Sequence, residues 1–123
     1  MPGQMKTPGP DHPITIEPNP ARVTVRVGDQ VVADTTTALN LHESTYPAIP
    51  YIPLADVDQE VLRQSDTSTY CPYKGDAAYY SLTLSDGELV DVIWTYPQPY
   101  PAVAEIAGHV AFYPNKVEIT ESA

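Results

Sequence analysis

Fourteen prolines are spread through the 123 residues, and their placement limits the chain to short extended segments. Proline fixes φ and has no N–H group, so it is excluded from helix interiors and from the centres of sheets. Beyond the first thirteen residues the prolines alternate with short apolar runs. This pattern is typical of a β-rich domain whose strands end at prolines, and not of a disordered chain.

Alternating apolar and polar residues predict the strands. In residues 22–27 the three valines face one way, and Gly28-Asp29 then gives a two-residue turn signal before the next strand. Asp86-Gly87 is the strongest turn signal in the chain. The predicted strands are 14–17, 22–27, 30–34, 38–43, 77–84, 88–96, 110–113 and 116–120, and residues 51–52 and 69–73 are predicted only as extended segments.

Two short helices are predicted between these strands. Asp56 is a good N-cap for a helix through about Arg63, and Gln59 lies at the capping-box spacing. Pro101 suits the first turn of a helix over residues 101–107, and Gly108 suits its end. The fold class is therefore mainly β: a single antiparallel sandwich or rolled sheet of eight or nine strands over residues 14–121, after a flexible Pro/Gly-rich tail over residues 1–13.

The charge balance and the cysteine count exclude several classes of protein. Six Lys and Arg residues against sixteen Asp and Glu residues give a net charge of −10, which argues against binding to nucleic acid or to an anionic membrane. A single cysteine excludes an internal disulfide and a Cys-rich zinc site. The chain has no apolar run long enough for a membrane span and no signal pattern, so we expect a cytoplasmic protein with no cofactor.

The stretch from Cys71 to Gly75 is the first candidate site. Pro72 should take Cys71 out of a strand ladder, and Gly75 permits a sharp turn or a close backbone approach. Lys74 could hold a carboxylate or phosphate as a point charge. It could also lower the pKa of the Cys71 thiol and make it a nucleophile, with a histidine folded nearby (His42 or His109) as the base. A purely structural role for the stretch is the alternative.

A two-residue turn at Asp86-Gly87 would place Tyr79 opposite Trp94, Ser81 opposite Val92, and Leu84 opposite Leu89. One face would then be dry core, formed by Tyr80, Leu82, Leu84, Leu89 and Ile93, with Asp91 as the exception. The other face mixes hydroxyls with large rings, as a ligand-binding surface would, and holds Tyr79, Ser81, Thr83, Val90, Val92, Trp94 and Tyr96. Aromatic cross-strand pairs also stabilise ordinary sheets, so both interpretations stay open.

Three further groups are candidates. Glu43 could orient Lys74 or a substrate amine, although a solvated strand end explains it and His42 as well. Paired carboxylates such as Asp56 and Asp58 hold magnesium in nucleotidyltransferases, but here they open a predicted helix, whose dipole suits them anyway. The remaining candidates are tyrosines that suit pocket walls because they have polar tips on apolar bodies: Tyr51, Tyr73 and Tyr113.

Five stretches carry a family resemblance: residues 12–16, 51–53, 70–75, 94–97 and 110–114. They resemble the small bacterial proteins grouped as domain of unknown function 427. The resemblance implies a compact antiparallel β fold similar to the tent-like sheets of the Mss4-like group, and it brings a nucleotidyltransferase-type label. Paired cysteines often bind zinc in that wider group, but this chain has only Cys71. The family often has a basic residue where Leu54 stands here, and arginine where His42 stands.

The predicted function is binding of a small, anionic or nucleotide-like ligand in an aromatic pocket, with Lys74 as the polar anchor. The other residues of the predicted site are Glu43, Tyr51, Cys71, Tyr73, Tyr79, Trp94, Tyr96 and Tyr113. Two alternatives stay open. One is an enzyme, acting through nucleotidyl transfer or through a Cys71 nucleophile, and the other is a scaffold that uses the aromatic face for interaction, including as a homodimer.

Overall fold

A computed structural model describes residues 5–85 and 87–122. Within them ten strands pair only in antiparallel fashion, so the prediction of a mainly β fold is confirmed. Asp86 lies outside the described residues, as do residues 1–4 and 123. The strands are β1 (Ile14–Pro18), β2 (Arg22–Val27), β3 (Gln30–Thr35), β4 (Leu39–Glu43), β5 (Ile49–Pro53), β6 (Leu62–Cys71), β7 (Gly75–Leu84), β8 (Gly87–Thr95), β9 (His109–Phe112) and β10 (Glu118–Ser122).

The strands form two sheets that share one core. Seven strands follow the order β1-β4-β5-β9-β8-β7-β6, and three follow the order β10-β2-β3. Alternation along β2 buries Val23 and Val25 completely, and they join Ile52, Ile93 and Phe112 of the larger sheet in the core. The three-stranded sheet thus covers the inner face of the seven-stranded sheet. The outer face of the seven-stranded sheet is left for other contacts.

Side chains that alternate with the core residues along the strands form a second cluster on that outer face. Tyr51 and Ala111 alternate with core residues along β5 and β9, and both are buried in this second cluster. Val103 and Ile106 cover part of it from a 3₁₀ helix, Pro101–Ile106. The outer face is therefore only partly covered, and the candidate site lies there.

The prediction of a helix from Asp56 to Arg63 is wrong. A 3₁₀ helix occupies Leu54–Asp56, Val57 then bridges to Ala33 of the smaller sheet, and β6 begins at Leu62. The side-chain amide of Gln59 donates to the carbonyls of Leu54 and Val57, so it stabilises a turn instead of a helix start. Pairing with the second sheet has overridden the local capping signal.

The second predicted helix is present only as the 3₁₀ helix Pro101–Ile106, which is interrupted by non-helical angles at Val103. Among residues 5–85 and 87–122 this six-residue segment is the longest helix. A bilayer span needs about 20 residues, so no helix in this part of the chain could cross a membrane.

The register between β7 and β8 agrees with the prediction at one end only. Tyr79 pairs with Trp94 as expected, but Leu82 pairs with Leu89 and Leu84 with Gly87, so the predicted Leu84–Leu89 pair is wrong. Strand β8 holds two extra residues opposite Ser81, in an irregularity that contains Asp91 at φ +53. Because the offset is even, Leu82 and Leu89 still face the core.

The irregularity also corrects the predicted partner of Ser81. Val92, predicted opposite Ser81 on the aromatic face, is fully buried in the shared core. The backbone N–H of Asp91 donates to Ser81 Oγ instead, at 2.9 Å. The aromatic surface of this hairpin is therefore shorter than the sequence predicts.

Candidate functional site

A tight turn over residues 72–74 joins β6 to β7 and directs Lys74 inward. Cys71 still pairs with Gly75 as the last pair of the ladder, so the prediction that Pro72 takes Cys71 out of the ladder is wrong: Pro72 lacks an N–H only at its own position. The N–H of Lys74 donates to the Cys71 carbonyl. Gly75 has φ +111, and a Cβ there would lie 3.3 Å from the Gln98 carbonyl oxygen. The N–H of Tyr100 also donates to the Lys74 carbonyl, so the following loop holds the turn on its other side.

Lys74 forms a buried ion pair with Glu43. Its Nζ donates to Glu43 Oε1 at 2.6 Å, and the two side chains are only 9% and 17% exposed. The same Nζ lies 5.6 Å from the centroid of the Tyr96 ring. A charge held over a ring face and away from water interacts more strongly than an exposed one.

His12 provides the second contact to Glu43. Its Nε2 lies 2.8 Å from Glu43 Oε2, and its ring stacks on Tyr73 with centroids 4.0 Å apart. His12 belongs to residues 5–13, which the sequence predicts as a tail and which contact the domain here. No pattern around His12 predicts this contact, because Glu43 lies 31 residues away in sequence.

Five rings on the outer face form what we call the aromatic wall: Tyr51, Tyr79, Trp94, Tyr96 and Tyr113. Trp94 Nε1 donates to the Tyr51 hydroxyl at 3.0 Å, and the Trp94 ring lies 4.6 Å from that of Tyr113. Tyr79 pairs with Trp94 across the strands. Tyr51 and Tyr96 are buried, whereas the other three rings are partly exposed.

The ionisation of these groups follows from burial and from their partners. Burial opposes the ionisation of Glu43, but hydrogen bonds from Lys74 and His12 outweigh it and lower the pKa of Glu43. Burial raises the pKa of Tyr51 and of Tyr96 well above the ordinary value. Burial and the hydrogen bond with Tyr79 raise the pKa of Tyr113 to about 12. Tyr51, Tyr96 and Tyr113 therefore present neutral phenols at any physiological pH, next to an ionised carboxylate.

An apolar pocket of about 310 Å³ lies beside Glu43. Glu43 is the one charged side chain in its lining, which otherwise consists of Leu41, Tyr46, Pro47, Ala48, Ile49 and Pro114. Leu41 and Ile49 belong to the outer-face cluster, so the pocket opens on the same side of the sheet as the ion pair. Neither Tyr46 nor Pro114 was among the residues predicted to line a site.

The structure brings the nine predicted site residues into one group. Lys74 contacts Glu43 and Tyr96, Tyr73 reaches Glu43 through His12, and Tyr51, Tyr79, Trp94 and Tyr113 contact one another. The partly exposed Cys71 packs against the same cluster.

The other predicted candidates lie elsewhere. His42 is exposed and pairs with Thr15, and the His109 Nδ1 contacts the Ala107 carbonyl. Asp56 lies near Arg22 and Asp34, beside the smaller sheet. Residues 5–85 and 87–122 contain no group of three or more His, Cys, Asp or Glu side chains that could hold a metal ion.

A family model described as Domain of unknown function (DUF427) matches residues 15–123. The chain belongs to the DUF427 family. The resemblance found in the sequence is thereby confirmed, and all nine predicted site residues lie in the matched region. No curated protein matches this DUF427 member.

The ion pair of this DUF427 protein should make its stability fall in acid. Because the pKa of Glu43 is lower in the folded protein than its ordinary value of 4.5, the unfolded chain takes up the proton first as the pH falls. The contribution of Glu43 is therefore present above the unfolded pKa and is lost as the pH falls through the folded pKa. We expect the gap in unfolding free energy between wild type and Glu43→Gln to shrink from pH 7 to pH 3.

Urea unfolding at several pH values measures this gap. Replacement of an exposed acid, Glu105→Gln, is the matched control and should change stability little at any pH. A gap between wild type and Glu43→Gln that stays constant over the whole range would contradict the assigned charge state of Glu43.

Proposed function

We propose that this protein binds a small molecule that combines a planar ring with one anionic group, at the Lys74–Glu43 pair and the aromatic wall. The observation that carries the proposal is a buried ion pair next to partly exposed rings. A buried ion pair is weak evidence for stability, because apolar residues of similar volume often stabilise a fold as well or better. Its position beside reachable aromatic surface supports a role in binding.

The contacts of Lys74 leave hydrogen-bonding capacity for an anion. An ammonium has three N–H donors, and Glu43 accepts one of them. An anionic group at the edge of the pair would accept another, while Glu43 and Tyr96 keep the lysine side chain in place. The binding energy then comes from a short, charge-assisted hydrogen bond in a poorly hydrated place.

The ring of the ligand would pack on Trp94 and its neighbours. Trp94, Tyr79 and Tyr113 are partly exposed, and aromatic faces stack on planar molecules with little loss of side-chain freedom. The apolar pocket beside Glu43 would accept a substituent of the ring. The net charge of −10 disfavours polyanions at long range, so a ligand with a single compact anionic group fits better than a nucleic acid.

The only tryptophan of the chain reports on the proposed site directly. We expect adenosine monophosphate to change Trp94 fluorescence in a saturable way, and uncharged adenosine to bind more weakly. Lys74→Met should weaken adenosine monophosphate binding by about tenfold or more, because a charge-assisted hydrogen bond is worth roughly 1.5–3 kcal/mol. Replacement of an exposed lysine, Lys116→Met, is the matched control and should leave binding unchanged.

A second variant distinguishes lost binding from lost folding. Glu43→Gln also breaks the ion pair, but it removes a negative charge and leaves Lys74 charged, so it should strengthen binding of adenosine monophosphate. Opposite effects of the two substitutions cannot arise from a shared loss of stability. Equal binding by wild type and Lys74→Met, with both proteins folded, would overturn the proposal.

A further inference from the structure

We infer that His12 is a positioning residue that sets the net charge of the site around the Lys74–Glu43 pair and makes the affinity for an anionic ligand depend on pH. The inference rests on the proposed function, because it concerns regulation of the same site. It gives a role to a side chain outside the region matched by the family model. It also gives a role to residues 5–13, which the sequence predicts only as a tail.

Several contacts fix the position of the His12 ring. One face stacks on Tyr73 at an interplanar angle of 9°, and Nε2 meets Glu43 Oε2. Backbone hydrogen bonds hold the segment on both sides, from Lys6 N–H to the Pro72 carbonyl and from Ser44 N–H to the Pro13 carbonyl. The imidazole therefore lies in a defined place against the carboxylate and not in a freely rotating tail.

The charge of the site depends on the state of this imidazole. The groups that face His12 are Glu43 from β4 and Tyr73 from the turn, with Lys74 on the other oxygen of Glu43, while Asp11 on its own segment is exposed. With a neutral imidazole, Lys74 and Glu43 sum to zero. With an imidazolium, the three groups carry one net positive charge, and Glu43 is balanced by His12 as well as by Lys74.

Imidazole is the side chain that changes charge between pH 5 and 8. An anionic ligand at Lys74 should therefore bind more tightly at the acidic end of that range. One unit charge roughly 8 Å away, on the far oxygen of Glu43 and at an effective dielectric constant of about 30, changes affinity by about tenfold. Lys74 alone would give an affinity that does not change over this pH range. The second cationic group on Glu43, His12, adds the dependence of the affinity on pH.

Two substitutions separate the contacts of His12. His12→Phe keeps a ring to stack on Tyr73 but removes the hydrogen bond and the charge. His12→Gln keeps a donor for Glu43 without a group that titrates. Replacement of the exposed His42 by glutamine is the matched control.

The probe for the pH profile is benzoate, a planar carboxylate that stays ionised over this range. We expect wild type and His42→Gln to bind benzoate about tenfold more tightly at pH 5.5 than at pH 8. Both His12 variants should lose most of this difference, and His12→Gln should approach the wild-type affinity at pH 8. The same pH dependence in all four proteins would overturn the inference.

A ligand-free measurement separates this inference from the proposed function. Because the His12 hydrogen bond helps to lower the pKa of Glu43, His12→Phe should raise it towards the ordinary value in a ¹³C NMR titration of the carboxyl group. An unchanged Glu43 pKa in that variant would overturn the role of His12. If Glu43 responds but wild type binds benzoate at no pH, the proposed function fails, whereas the control of Glu43 charge by His12 stands.

Discussion

Replacing Lys74 with methionine should lower the free energy of unfolding by about 3 kcal/mol, near the lower end of what breaking a buried ion pair costs. The side chain of Glu43 is only 17% exposed, and the substitution removes the lysine that pairs with it. His12 still contacts the other carboxylate oxygen. For a domain of this size the loss corresponds to a fall in Tm of roughly 10 °C. Urea and thermal unfolding at pH 7 measure it.

A double substitution tests whether the loss comes from the unpaired charge. Replacing both partners, in Lys74→Met with Glu43→Gln, should destabilise the protein less than Lys74→Met alone, because no buried carboxylate is then left unpaired. Lys116→Met should stay within about 0.5 kcal/mol of wild type, as exposed positions usually do. Additive effects of the two single substitutions would show that the pair is not coupled.

Replacing Gly75 with alanine should destabilise the protein by about 2–3 kcal/mol, since it combines a disfavoured backbone conformation with a close contact. Gly75 has φ +111, and the new Cβ would meet the Gln98 carbonyl oxygen at 3.3 Å. The loop and the turn would have to separate, and Lys74 lies in that turn. Binding of adenosine monophosphate should weaken in the same variant.

Gly28 provides the matched control for the backbone. It also has a positive φ, +59, but a Cβ there would meet nothing within 4 Å. Gly28→Ala should therefore cost only about 1 kcal/mol, the strain of a left-handed alanine, and should leave ligand binding unchanged. Equal destabilisation by the two substitutions would show that the contact with Gln98 contributes nothing.

The sequence predicts the strands and the turn at Lys74 because the physical causes are local. Alternation buries Val23 and Val25 in β2, and Pro72 with Gly75 marks the turn between strands β6 and β7. The prediction of a helix at Asp56 is wrong because the same segment pairs with a distant strand, through an antiparallel bridge between Val57 and Ala33. Local capping signals contribute about 1 kcal/mol, and tertiary pairing can override them.

The irregularity in β8 could not be predicted from periodicity. Alternation gives the face of each residue, but two extra residues in one strand preserve that alternation on both sides. Asp91 takes φ +53 and its N–H finds Ser81 Oγ, and neither feature has a sequence signal. The faces of Leu82 and Leu89 were therefore predicted correctly although their partners were not.

The candidate site was predictable to the extent that its residues lie on strands. Alternation and the turn pattern place Tyr79, Trp94 and Lys74 on one surface. The contact of Lys74 with Glu43 spans 31 residues, and so does that of His12 with Glu43, so only the arrangement of β1, β4 and the turn brings them together. His12 was missed because a Pro/Gly-rich segment carries no periodicity that would fix its position.

The most direct test of the site is NMR spectroscopy of the single tryptophan. The indole N–H of Trp94 gives one isolated ¹⁵N signal, since the chain contains no other tryptophan. We predict that adenosine monophosphate shifts this signal and the amide signals of Lys74 and Gly75, and leaves the Gly28 signal in place. A shift confined to Gly28 and its neighbours, or no shift of the Trp94 signal at saturating concentration, would contradict a ligand site at the Lys74–Glu43 pair.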